Sequence, residues 1–198
     1  MDENPVSRAL MPAARLMALV AGYCLLGLAF LVTAEILLRR FMNVSLQGGD
    51  EFGGYTLAVV ATFGFAYALL ERAHTRVEIL IERLRGGPQA WLNLVAVWCI
   101  ALMAAFMAWR SVATLMESLE YRSLSGTPLM TPLWQPQAAW VAGLLFFALV
   151  AAAVAIHATV LAIRDRRRLN DFYGMKTLSE IIREERASAL DGPKAPAP

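Results

Sequence analysis

Charged residues are missing from four long stretches of this chain. Leu16 to Ala34 and Phe52 to Leu70 each run 19 residues without Asp, Glu, Lys or Arg. Gly86 to Trp109 runs 24, and Ser123 to Ile163 runs 41, with Ala138 to Ile163 as its unbroken apolar part. About 20 apolar residues at 1.5 Å rise per residue cross roughly 30 Å of hydrocarbon, and a backbone in lipid has to satisfy its own hydrogen bonds. The pattern predicts an all-α integral membrane protein with four transmembrane helices, at about 16–38, 52–70, 89–109 and 138–163. They make up a membrane domain over 16–170, between an N-terminal segment 1–15 and a tail 171–198. The first stretch exceeds the 7–15 apolar residues of a signal peptide and runs into Glu35, Arg39 and Arg40 without a small-residue cleavage site, so it reads as a retained anchor.

The segments between the spans carry patterns of their own. Val77, Leu80, Ile81 and Leu84 fall at i, i+3, i+4 and i+7, with Glu78, Glu82, Arg83 and Arg85 off that stripe, which predicts an amphipathic helix lying in the membrane surface. Gly86, Gly87 and Pro88 stop it. Beyond Trp109 the helical spacing continues through Val112, Leu115, Met116 and Leu119, and no Gly or Pro occurs from Gln89 to Tyr121. A helix of roughly 33 residues is about 50 Å long, so the third span tilts or projects from the bilayer. From Ser123 to Gln137 the chain holds Gly126, Pro128, Pro132 and Pro136, a spacing that predicts non-helical backbone throughout. Trp134 and Trp140 mark the point of re-entry, as in an interfacial aromatic belt. In the tail, Thr177 and Glu180 have capping-box spacing, and Asp191 to Pro198 reads as a disordered end.

Charge sets the orientation. With both termini in the cytoplasm, 14 of the 18 Lys and Arg residues lie inside and four outside (Arg39, Arg40, Arg110, Arg122), as the positive-inside rule favours. Arg164, Arg166, Arg167 and Arg168 weigh most, since cations beside a span fix its direction, and they read as a stop-transfer anchor meeting anionic phospholipid. Overall, 58% of the 198 residues are hydrophobic, 17% are charged and the net charge is +2, a balance that does not suggest nucleic-acid binding.

Candidate chemistry is sparse. Cys24 and Cys99 each lie alone in a span, with no CxxC partner, and read as small buried hydrophobes rather than metal or redox groups. Glu35, near the outer interface, is read as a salt-bridge partner of Arg39 or Arg110 before a proton relay. His157 is within the fourth span and His74 outside the second, a placement that cannot supply the two axial ligands of a bis-His haem. No Ser/His/Asp or Cys/His set, phosphate loop or HExxH is present, so no enzyme, metal or cofactor is expected. Small residues at Ala18/Gly22 and at Ala58, Thr62 and Ala66 permit close helix packing. No internal repeat or pair of Gly/Pro-broken helices supports a self-sufficient transporter.

Arg40-Phe41-x-Asn43 after the first span, Asp50-Glu51 opening the second, Tyr55, Gly64 and Ala68 within it, His74-x-Arg76-Val77-Glu78 beyond it, and Pro132-x-Trp134-x-Pro136-Gln137 before the fourth together resemble the small membrane subunit of tripartite ATP-independent periplasmic (TRAP) transporters. The resemblance runs over roughly residues 15–165, with Gly49 and Glu78 standing where that family often has Trp and Asp. It implies a small DctQ-like permease subunit of a secondary transporter in the bacterial inner membrane. Its partners would be a large membrane subunit, which holds the substrate and sodium sites and moves as an elevator, and a periplasmic solute-binding protein delivering an organic acid. The small subunit would brace the large one. Arg40, Asn43, Asp50, Glu51 and Trp134 are then candidates for contact with the binding protein or the large subunit, and His74 and Arg76 for contact with the large subunit or lipid headgroups. For Asp50 and Glu51 there is also a plainer role, acidic residues favoured by the dipole of a helix's first turn. Two other classes fit the four-span plan: a self-contained proton-coupled exporter acting as a homo-oligomer with Glu35 as its coupling carboxylate, and the membrane anchor of a redox enzyme.

Overall fold

The computed structural model describes residues 4–44, 48–71 and 87–173. These residues form five helices in chain order: α1 Pro5–Met42, α2 Gly49–Leu70, α3 Gly87–Glu120, α4 Trp134–Arg164 and the short α5 Arg166–Tyr173. None of the described residues is in a strand, and α1 to α4 are each long and apolar enough to cross a membrane. The predicted surface helix around Val77 to Leu84 lies outside the described residues, as do His74, Arg76 and the tail beyond Tyr173.

The helix ends follow local chemistry. Asn4 Oδ1 accepts the Val6 amide at 3.1 Å, and Pro5 occupies the first turn, where its missing N–H costs nothing. α1 thus begins well before the apolar stretch and runs 38 residues, about 57 Å, to Asn43, whose left-handed backbone (φ 52°) closes it on the Leu38 carbonyl. α3 runs unbroken for 34 residues, as its lack of Gly and Pro after Gln89 implied.

One expectation fails in part. The proline spacing argued against helix through Gln137, yet α4 starts at Trp134 with Pro136 in its first turn. Those amides have no intrahelical acceptor in any helix, so a proline there sacrifices no hydrogen bond and its fixed φ suits the turn.

The helices line up as a row in the order α1, α2, α4, α3, with α5 tucked against α3 and α4. α4 is the most buried: Val141, Leu144, Phe147, Val150, Ala151, Val154, Ala155 and Ala158 pack inward. Where α2 meets α4, a β-carbon on Gly143 would lie 2.6 Å from Thr62 Oγ1 and 2.8 Å from both Thr62 Cβ and the Phe63 ring, so only glycine permits this approach. Thr62 and Ala66 of the predicted small-residue face are buried here, and the Phe65 ring packs tilted against Phe147 with centroids 5.4 Å apart. Ala18 and Gly22 do not form such a face. α1 buries Ala14 and Ala21, while a β-carbon on Gly22 would meet open space.

α3 is two-sided. Ala90, Asn93, Val97, Ala101, Ala104, Ala108 and Ser111 form its buried stripe, and Trp91, Val95, Trp98, Leu102, Phe106 and Trp109 are exposed on other faces. Small residues on the inside let the backbones close, and large apolar ones outside suit lipid or a membrane partner. Trp98 also reaches across to α4, its indole N–H donating to Thr159 Oγ1 at 3.0 Å.

Candidate functional site

The connections α1–α2 and α3–α4 lie at one end of the row, here the loop end, and the best-built polar cluster of the described residues is there. Its centre is Glu51, in the first turn of α2 and 8% exposed. One turn on, the Tyr55 hydroxyl donates to Glu51 Oε1 at 2.7 Å. From the α3–α4 connection, Thr127 Oγ1 donates to Glu51 Oε2. The two carboxylate oxygens are thus held by one hydroxyl from the same helix and one from a residue 76 positions away.

The segment supplying Thr127 is a small hairpin. The Ser125 amide donates to the Thr131 carbonyl at 2.9 Å, Leu133 N–H to the Ser123 carbonyl at 3.0 Å, and Met130 N–H to the Thr127 carbonyl at 3.0 Å, closing a turn with Pro128 at its second position. Leu124 and Pro132 form an isolated bridge across it. Arg122 and Met130 have positive φ (48° and 47°), which side chains other than Gly, Asn and Asp adopt only where surrounding contacts enforce it. Inside the turn, Ser125 Oγ and Thr127 Oγ1 are 2.8 Å apart and the Thr131 amide donates to Ser125 Oγ at 2.9 Å.

Two glycines let the connections meet. Gly48 has φ 98°, and a β-carbon on it would collide with Leu129 Cδ1 from the hairpin tip. At Gly49 a β-carbon would collide with the Glu35 carboxylate, which lies against the start of α2, where the helix dipole favours negative charge. A side chain has no room at this position while Glu35 keeps that place.

The other predicted residues fall around this cluster in different settings. Arg40 and Asn43, at the end of α1, are exposed, as is Asp50, and Trp134, which opens α4, is 43% exposed. Glu51 differs, since its carboxylate faces the hairpin rather than an outside partner. Sequence reasoning named Glu51, and Tyr55 only as part of the resemblance, without linking either to Thr127 or Ser125. The hydroxyls around Gly126 and Pro128 signal a turn, but nothing local points to a carboxylate on another helix.

A second cluster sits at the opposite end. His157 Nδ1 and the Tyr173 hydroxyl are 2.6 Å apart, the Phe172 ring stacks on the imidazole with centroids 6.4 Å away, and Leu169 is fully buried. His157 therefore helps hold α5 to the helix row.

Among the described residues no group of three or more His, Cys, Asp or Glu side chains is arranged to hold a metal ion. The cluster around Glu51 ties the start of α2 to the α3–α4 connection, a geometry that fits holding and presenting a surface. The family described as Tripartite ATP-independent periplasmic transporters, DctQ component, matches the chain over residues 28–160. No curated protein and no solved structure matches it.

Proposed function

The chain belongs to the DctQ component family of tripartite ATP-independent periplasmic transporters, and from that membership we propose that it is the small permease subunit bracing a large membrane subunit during organic-acid import. The observation that carries this reading is the extent of the match. Residues 28–160 begin inside α1 and end inside α4, so the matched region takes in the later part of α1, all of α2 and α3 and most of α4.

In this proposal the large subunit binds the carboxylate substrate and sodium and does the moving, and a periplasmic binding protein supplies the cargo. The small subunit lies in the cell inner membrane with both termini in the cytoplasm, which keeps 14 of 18 cations inside. Residues 77–84 then lie as an amphipathic helix on the cytoplasmic membrane surface, and His74 and Arg76 meet the large subunit or lipid headgroups. The loop end faces the periplasm. Arg40, Asn43, Asp50 and Trp134 form its docking contacts, and Glu51 serves from behind them. The exposed apolar faces of α1 and α3 meet lipid and the large subunit's stationary scaffold, widening its footprint.

The test of docking is uptake by the reconstituted complex at increasing concentrations of binding protein. Asp50→Ala combined with Trp134→Ala is expected to raise the half-saturating concentration several-fold and leave the maximal rate near that of the parent. An unchanged half-saturating concentration with a normally assembled complex overturns the docking assignment.

A further inference from the structure

The hydrogen bonds around Glu51 run in one direction. Thr127 has a single hydroxyl proton, and it is donated to Glu51 Oε2. The 2.8 Å contact between Ser125 Oγ and Thr127 Oγ1 can therefore be made only with Ser125 as donor. Ser125 Oγ in turn accepts the Thr131 amide at 2.9 Å. The result is an ordered chain from Thr131 N–H to Ser125 to Thr127 to Glu51, with Tyr55 donating to the other carboxylate oxygen. The chain ends on a carboxylate, a group that only accepts. Chains of this kind polarise one another, and a charged acceptor at the end strengthens them.

Ser125 and Thr131 also lie close enough to the Glu51 carboxylate to favour its charge, so the hairpin meets α2 through its hydroxyls. Its internal backbone bonds hold its own shape, and its contact with the other connection is Leu129 against Gly48. Its tip also keeps Met130 in the left-handed region, a conformation that needs external support.

We propose that Glu51 is a positioning residue whose negative charge orients this donor chain and thereby fastens the hairpin 123–133 to α2, locking the α1–α2 and α3–α4 pairs together at the loop end. The consequence for transport rests on the docking reading above: the fastened hairpin presents its exposed residues, Leu124 and Met130 among them, to the binding protein in one conformation. Charge rather than shape is the operative property. A glutamine has the right size but offers an acceptor on one side only, so either Thr127 or Tyr55 faces an N–H donor and has to accept where it donated before. One of the two hydroxyl protons then loses its carboxylate acceptor.

Hydrogen exchange over residues 123–133, measured on the assembled complex in lipid nanodiscs, tests the fastening. Glu51→Leu and Thr127→Val are expected to speed exchange there about tenfold, with Glu51→Gln in between. The double variant Glu51→Gln/Thr127→Val is expected to exchange no faster than Thr127→Val alone, because both changes break one chain. If Glu51→Leu does not assemble, Thr127→Val and Tyr55→Phe, which keep the carboxylate, carry the measurement. Unchanged exchange in Thr127→Val and Glu51→Gln overturns the proposal. Uptake by the same variants separates it from the docking reading: a raised half-saturating concentration of binding protein with an unchanged maximal rate supports both, whereas a loosened hairpin with parental uptake kinetics retains the fastening and removes the docking.

Discussion

At Gly143 the missing β-carbon lets α4 close on α2, and the Thr62 and Phe63 atoms it would strike belong to a packed face. Gly143→Ala is expected to force the two helices apart at a cost of about 1–3 kcal/mol, read as a lower melting temperature of the purified chain in detergent. Gly22→Ala is the matched control. Its β-carbon meets open space and alanine favours helix by about 0.5–1 kcal/mol, so that variant is expected to melt no lower than the parent. The two glycines look alike in the sequence, each among apolar residues of a span. What separates them is the neighbour across the gap, and sequence spacing did not identify it. The same holds for Glu51: its place in a first turn was legible, while its bond to Thr127, 76 residues on, had no local signal.

Among the elements, the four long helices were legible because lipid demands length, apolarity and internal hydrogen bonding, all of which register in a one-dimensional pattern. The start of α4 was less so. Prolines at 128, 132 and 136 look alike on paper, but the last lies in a helical first turn and the first in a tight turn. α5 escaped notice for another reason. Three consecutive arginines and Arg164 read as a membrane anchor, masking Leu169, Phe172 and Tyr173, whose i, i+3, i+4 spacing makes one apolar face. Leu169 is fully buried, so Leu169→Ala is expected to cost about 2–5 kcal/mol locally and release α5, visible as faster hydrogen exchange over 166–173. Exchange that matches the parent removes the packing role. On α3, Ala104→Leu, on the fully buried stripe, is expected to lower thermal stability, while Leu102→Ala, 64% exposed, changes it little because lipid tails match leucine in apolarity.

Among the described residues the four long helices form a row, with α1 at one edge, where it packs on α2 and touches α4, α3 at the other and α4 the most buried of the four. Such a row buries little of itself: the most apolar window of α1 is only 6% buried. A chain shaped this way offers broad apolar faces, and it is on these that the proposal of a bracing subunit rests. The most direct measurement of that claim is substrate flux into proteoliposomes containing this chain alone, compared with liposomes containing it together with the large subunit and supplied with loaded binding protein. The account predicts flux only from the assembled set, and flux driven by the small chain alone would contradict it.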